Sequence, residues 1–148
     1  MSVTRRSLFS AAAALALFAA GPALAHDGVH VTDAYARFVP GARTGAIYLT
    51  IENHAKVEEH LVSVATDIAG KTQLHQSVQG SDGMMAMPEM TDGLAIAPGA
   101  IAQLKSGGDH IMVMDLKTHP KDGDTFTLTL TFSHAGQVKV EVPVRNKP

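Results

Sequence analysis

Between His75 and Met114 the chain gathers His75 itself, a methionine cluster at Met84, Met85, Met87 and Met90, and the run His110-Ile111-Met112-Val113-Met114. Past Met1, every methionine of the 148-residue sequence falls in this window. Methionine used only as flexible gap filler would be scattered. Thioether sulfur is a soft, neutral ligand and imidazole a borderline one. A His/Met set with no thiolate and no carboxylate therefore suits Cu(I) better than zinc, magnesium or calcium.

Spacing says which elements must hold these donors. An extended segment from His110 to Leu116 turns His110, Met112 and Met114 to one face and Ile111 and Val113 to the other, with Leu116 left to be placed separately. Ile111 and Val113 suit a buried face, so one strand offers an imidazole and a thioether together. Two further ligands can come from the loop that begins at His75 and ends near Met87, completing a tetrahedral set. Taken singly, Met84, Met85 and Met90 read more simply as packing or loop exposure. His54, His60, His119 and His134 read as surface or turn residues.

His75, then Met87, then His110-x-Met112 preceded by Gly107-Gly108-Asp109 resembles the signature of the periplasmic PCu(A)C copper chaperones. The resemblance extends over nearly the whole mature chain, taking in Asp33-Ala34-Tyr35-Ala36-Arg37, Gly45-Ala46-Ile47-Tyr48-Leu49 and Gly123-Asp124. It implies an all-β, cupredoxin-like Greek-key sandwich or barrel, with one Cu(I) held by His75, Met87, His110 and Met112. It also implies delivery to the CuA centre of a cytochrome c oxidase, directly or through a Sco-type thiol protein. The chain departs from the pattern in two places: the gap from Met87 to His110 is one residue longer, and Met84 and Met85 are additional. Met85 is thus the reserve for the second ligand.

The flanks set the context. Residues 1–25 read as an export signal, with Arg5-Arg6, an apolar run from Leu8 to Ala20 and a small-x-small Ala23-Leu24-Ala25 site. The apolar run is about 13 residues against roughly 20 needed to cross a bilayer, so a permanent anchor is not expected. Thr4-Arg5-Arg6-Ser7-Leu8-Phe9 also resembles a twin-arginine signal, which leaves the choice between the two export routes open. A single domain at residues 26–148, monomeric and periplasmic, is the expectation. Removing the two arginines moves the formal charge from −2 to −4. With no basic patch and few aromatic side chains, nucleic acid is not an expected partner.

The chain contains no cysteine. An exported domain of this length then relies on its apolar core alone. Thioethers escape the disulfide chemistry that threatens thiolates outside the cytoplasm. A blue-copper electron carrier, which needs a cysteine sulfur, is excluded. The amino-terminal His26-Asp27-Gly28-Val29-His30 offers an amine and two imidazoles, a nitrogen set that suits Cu(II). His26 and His30 are accordingly the candidates for a second site, with a merely solvated tail as the plainer account.

The remainder is strand-like, with short runs at Val31–Phe38, Ala46–Glu52, Leu61–Thr66 and Thr72–Val78 separated by Gly41, Gly45, Asn53 and Gly70. The clearest alternation runs from Thr125 to Phe132, partnered by Gln137 to Val144 across a His134-Ala135-Gly136 connection. No stretch keeps a helical period. On such a fold Gly107 and Gly108 serve to turn the chain ahead of His110, and Asp109 is a candidate acceptor for an imidazole N–H. Tyr35 and Tyr48 are expected to pack with their hydroxyls at the rim.

Three kinds of function stay in view: copper transfer, copper buffering with the same ligands but no dedicated recipient, and a copper enzyme built on His26. The last ranks lowest, because neither a paired carboxylate nor a nucleophile with its base is evident. The expectation is a protein that is not an enzyme.

Overall fold

The computed structural model describes residues 28–147; the export-signal reading and His26 lie outside them. Eleven strands and no helix make up the described residues, and all but two strands fall into two packed sheets. The first sheet runs β1 (Val29–Phe38), β2 (Thr44–Asn53), β9 (His110–Leu116), β4 (Ala69–His75), with β8 (Ile101–Leu104) also on β2. The second runs β11 (Gly136–Pro143), β10 (Thr125–Phe132), β3 (Glu59–Thr66), β7 (Leu94–Ile96). The chain changes sheets at the tight β3–β4 connection. Its carboxy-terminal end returns to β1, where Arg145 N–H donates to the Ala36 carbonyl and closes that side.

Alternation builds the core. In β10 Phe126, Leu128, Leu130 and Phe132 are buried while the threonines between them are not, and in β2 the buried set is Ile47, Leu49, Ile51 and Asn53. Ile47, Ile51, Ile111, Val113, Leu128, Leu130 and Val142 are fully enclosed between the sheets. The two sheets form a β-sandwich, as the alternating pattern predicts, and its architecture is cupredoxin-like, as the resemblance implies.

Two local departures from regular pairing shape the donor face. β8 and β9 both lie antiparallel on the same edge of β2, in registers offset by the 105–109 excursion between them. They are in effect one strand interrupted by that excursion, and Gly107, at φ 80°, supplies its left-handed corner. At the other end of β9, Asp115 has φ 53°, which breaks the alternation. Asp115 is thereby exposed and Leu116 turned inward, which resolves the position that simple alternation leaves open.

The segment between β4 and β7 is more ordered than a loop. His75 pairs with Glu89, Gln76 N–H donates to the Pro88 carbonyl, Val78 and Gln79 (β5) pair with Ala86 and Met85 (β6), and Gly80 N–H donates to the Met84 carbonyl. These pairings share one unbroken antiparallel register. Residues 74–90 are a two-stranded ribbon growing out of β4.

Candidate metal centre

His75 is the last residue of β4 and lies directly opposite His110, the first residue of β9; their ring centroids are 5.9 Å apart. Met112, two residues along β9, stands between Gln73 of β4 and Ala46 of β2, a small neighbour that leaves its outer side open. Ile111 and Val113 point the other way into the core, completely buried. His110, Met112 and Met114 thus share the outer face of the first sheet, as their spacing predicts.

The ribbon register places the remaining donors. Paired residues of an antiparallel ladder lie on one face, and faces alternate along it. His75 with Glu89, Ser77 with Met87 and Gln79 with Met85 therefore occupy one face, and Leu74 with Met90, Val78 with Ala86 and Gly80 with Met84 the other. Met87 is one step beyond His75 on the donor face, and Met85 one step further out. Met90, on the opposite face, packs against the core.

Each imidazole has its own support. His110 is 8% exposed and donates from Nδ1 to the Gly108 carbonyl at 2.9 Å, which leaves Nε2 as its lone-pair nitrogen. The same carbonyl accepts from Ser77 Oγ at 2.7 Å, tying the ribbon to the excursion that aims the ring. Asp109, considered above as the acceptor for an imidazole, instead accepts from Ser77 N–H at 3.4 Å. The second ring is held from its other side: His75 Nε2 donates to Gln73 Oε1 at 3.3 Å, and Gln73 Nε2 in turn donates to Glu89. His75 Nδ1 is buried with no hydrogen-bond partner.

That orphaned nitrogen fits a metal ligand. A buried acceptor without a partner is costly, and an ion would satisfy it. Burial, followed by the neighbouring His110, holds His75 below the ordinary imidazole value of 6.5; Glu89 opposes this and Lys71 adds to it. A ring kept neutral keeps its lone pair for metal. Among the described residues no group of three or more His, Cys, Asp or Glu side chains is placed to hold a metal ion, so the His75–His110 pair has no third donor of these types.

Gln73, Glu89, Ser77 and the Gly108 carbonyl were not singled out by the sequence. The first three carry no distinctive spacing, and a backbone carbonyl leaves no mark in a sequence.

The other described histidines lie away from this pair. His30, on β1, meets the ring of His54 edge-on at a centroid distance of 4.9 Å, and His54 Nε2 is 2.9 Å from Glu52. His60 contacts Glu58, and His134 contacts Ser133. Tyr35 and Tyr48 pair across β1 and β2 with centroids 5.1 Å apart, and Tyr48 continues this row towards His110 at 6.4 Å.

The fold is a two-sheet β-sandwich that carries His75, His110 and Met112 on one outer sheet face, beside the ribbon. Residues 29–144 match the family described as "Putative lipoprotein LpqE-like", and the chain belongs to that family. It is 32% identical over 120 residues to "Putative lipoprotein Lxx21020" of Leifsonia xyli subsp. xyli (strain CTCB07), covering 81% of this chain and 71% of that one. Among solved structures, the copper-bound PCuAC domain from PmoF2 superposes with a TM-score of 0.67 over 81% of this chain and 94% of that one; at 19% identity the likeness is one of fold. The apo form of DR1885 from Deinococcus radiodurans is 29% identical, with a TM-score of 0.63 over 99% of this chain and 97% of that one. Its CuI form is 27% identical, with a TM-score of 0.58 over 82% of each chain. No helix among the described residues is long and apolar enough to cross a membrane.

Proposed function

We propose that this chain is an exported copper-transfer protein that binds one Cu(I) through His75, Met87, His110 and Met112. The observation that carries the reading is the buried, unpartnered Nδ1 of His75, across from an imidazole whose own lone pair is set by the Gly108 carbonyl. His75, His110 and Met112 lie on one face of the β4–β9 pair, and the ribbon register that continues from His75 supports Met87 as the fourth donor. Imidazole and thioether ligands without a carboxylate leave the centre near a single positive charge, which favours the reduced ion. The PCuAC neighbours and the CuI form of DR1885 support copper as the cargo.

Delivery to the CuA centre of a cytochrome c oxidase, directly or through a Sco-type protein, is the recipient step we propose. The periplasm is the compartment, in keeping with the export-signal reading and with relatives described as lipoproteins. Transfer between proteins needs the ion at a surface, and Met87 is 52% exposed. The cargo changes ligands without changing oxidation state, and methionine gives up no proton on binding.

Anaerobic Cu(I) titration of the mature protein and of His75→Ala, Met87→Ala, His110→Ala and Met112→Ala variants tests the proposal, with X-ray absorption counting nitrogen and sulfur. We expect one ion per chain and weakened binding in every variant. Unchanged binding across the set would refute it.

A further inference from the structure

Met85 and Met87 are 53% and 52% exposed, so packing does not account for them. Met90, of the same cluster, does pack against the core, and it lies on the other face of the ribbon. Met84 is 70% exposed, but it pairs with Gly80 at the ribbon's end and also belongs to the other face. Only Met85 and Met87 continue the row of donors that begins at His75. Two residues along an extended strand span about 6.5–7 Å, a gap that two long thioether side chains can bridge around one soft ion.

Resting on the copper-transfer reading, we propose that Met85 and Met87 form an outer, low-affinity Cu(I) station, with Met87 shared between it and the inner site. An arriving ion is held first by the two ribbon sulfurs. The Met85 sulfur–copper bond then breaks as bonds to the His75 and His110 nitrogens and the Met112 sulfur form, Met87 remaining attached throughout. Release to a recipient follows the same steps in reverse. No electron or proton moves, and the ion remains Cu(I). Two neutral sulfurs alone hold it weakly, which is what a station on a transfer route requires. The extra methionine thus acquires a role distinct from that of a substitute inner ligand.

Two measurements test this on the mature protein. In a His75→Ala, His110→Ala double variant, Ag(I), a redox-inert soft cation, is titrated while the methionine methyl groups are followed by NMR. The Met85 and Met87 methyls should shift together, and adding Met85→Leu should abolish the shift at Met87. In the otherwise native chain, Met85→Leu should leave equilibrium Cu(I) affinity unchanged but slow stopped-flow transfer to bicinchoninate several-fold. A Met85 methyl that Ag(I) does not move, or an undiminished transfer rate, overturns the station. Lost equilibrium affinity in Met85→Leu also overturns it, by making Met85 an inner ligand. Failure of the inner-site reading would show separately, as native affinity persisting in the His75→Ala, His110→Ala protein.

Discussion

His75 and His110 face each other across β4 and β9, yet their protons sit on different nitrogens: Nε2 of His75, towards Gln73, and Nδ1 of His110, towards Gly108. The pair therefore presents unlike lone-pair nitrogens, Nδ1 from one ring and Nε2 from the other. Each tautomer is set by a group outside the donor set.

Gln73 is the testable half of that arrangement. Gln73→Leu removes the acceptor that fixes His75 and the link to Glu89, with no donor lost. Cu(I) affinity should fall about 10–100-fold, the usual effect of removing a group that orients a ligating imidazole. Competition against a Cu(I) chelator measures it, and the nitrogen and sulfur count at saturation should stay as it was.

The lowered pKa of His75 gives a pH signature. Between its folded value and the ordinary 6.5, the unfolded chain binds a proton that the folded chain does not, so stability rises with pH across that interval. This contribution is complete above 6.5 and is lost as pH falls towards the folded value. Urea midpoints on either side of 6.5, compared between the native chain and His75→Ala, should rise more steeply with pH in the former, with NMR titration of the ring locating the interval.

Ser77→Ala removes the ribbon's side-chain bond to the Gly108 carbonyl. The expected loss is about 1 kcal/mol, concentrated in the ribbon. Hydrogen exchange should quicken for the amides of Gln76 and Gly80 and leave those of β10 untouched.

The two faces of β9 should respond oppositely to substitution. Ile111→Ala opens a cavity in the core and should cost about 2–5 kcal/mol. Met112→Leu keeps volume and should cost less than about 1.5 kcal/mol while weakening copper binding. Urea denaturation beside Cu(I) titration separates the two effects.

Strands whose faces differ in burial could be read directly. Thr125–Phe132 is bounded as its alternation indicates, and the inward turn of Ile111 and Val113 follows from spacing alone. Sequence placed the neighbouring strand at Thr72–Val78, whereas β4 is Ala69–His75, because Gly70 reads as a breaker yet lies within the strand. In sequence the ribbon reads as a loop, because its Gly, Asp and Pro residues carry little strand preference. What orients the two imidazoles was out of reach, since it depends on cross-strand register and on a main-chain oxygen.

Strand β9 separates two duties by the side of the sheet on which each residue stands. Its inward residues hold the sandwich together, and its outward residues supply the proposed donor row. The donor row can accordingly be refitted, one residue at a time, for a harder or softer ion while the framework beneath keeps its shape.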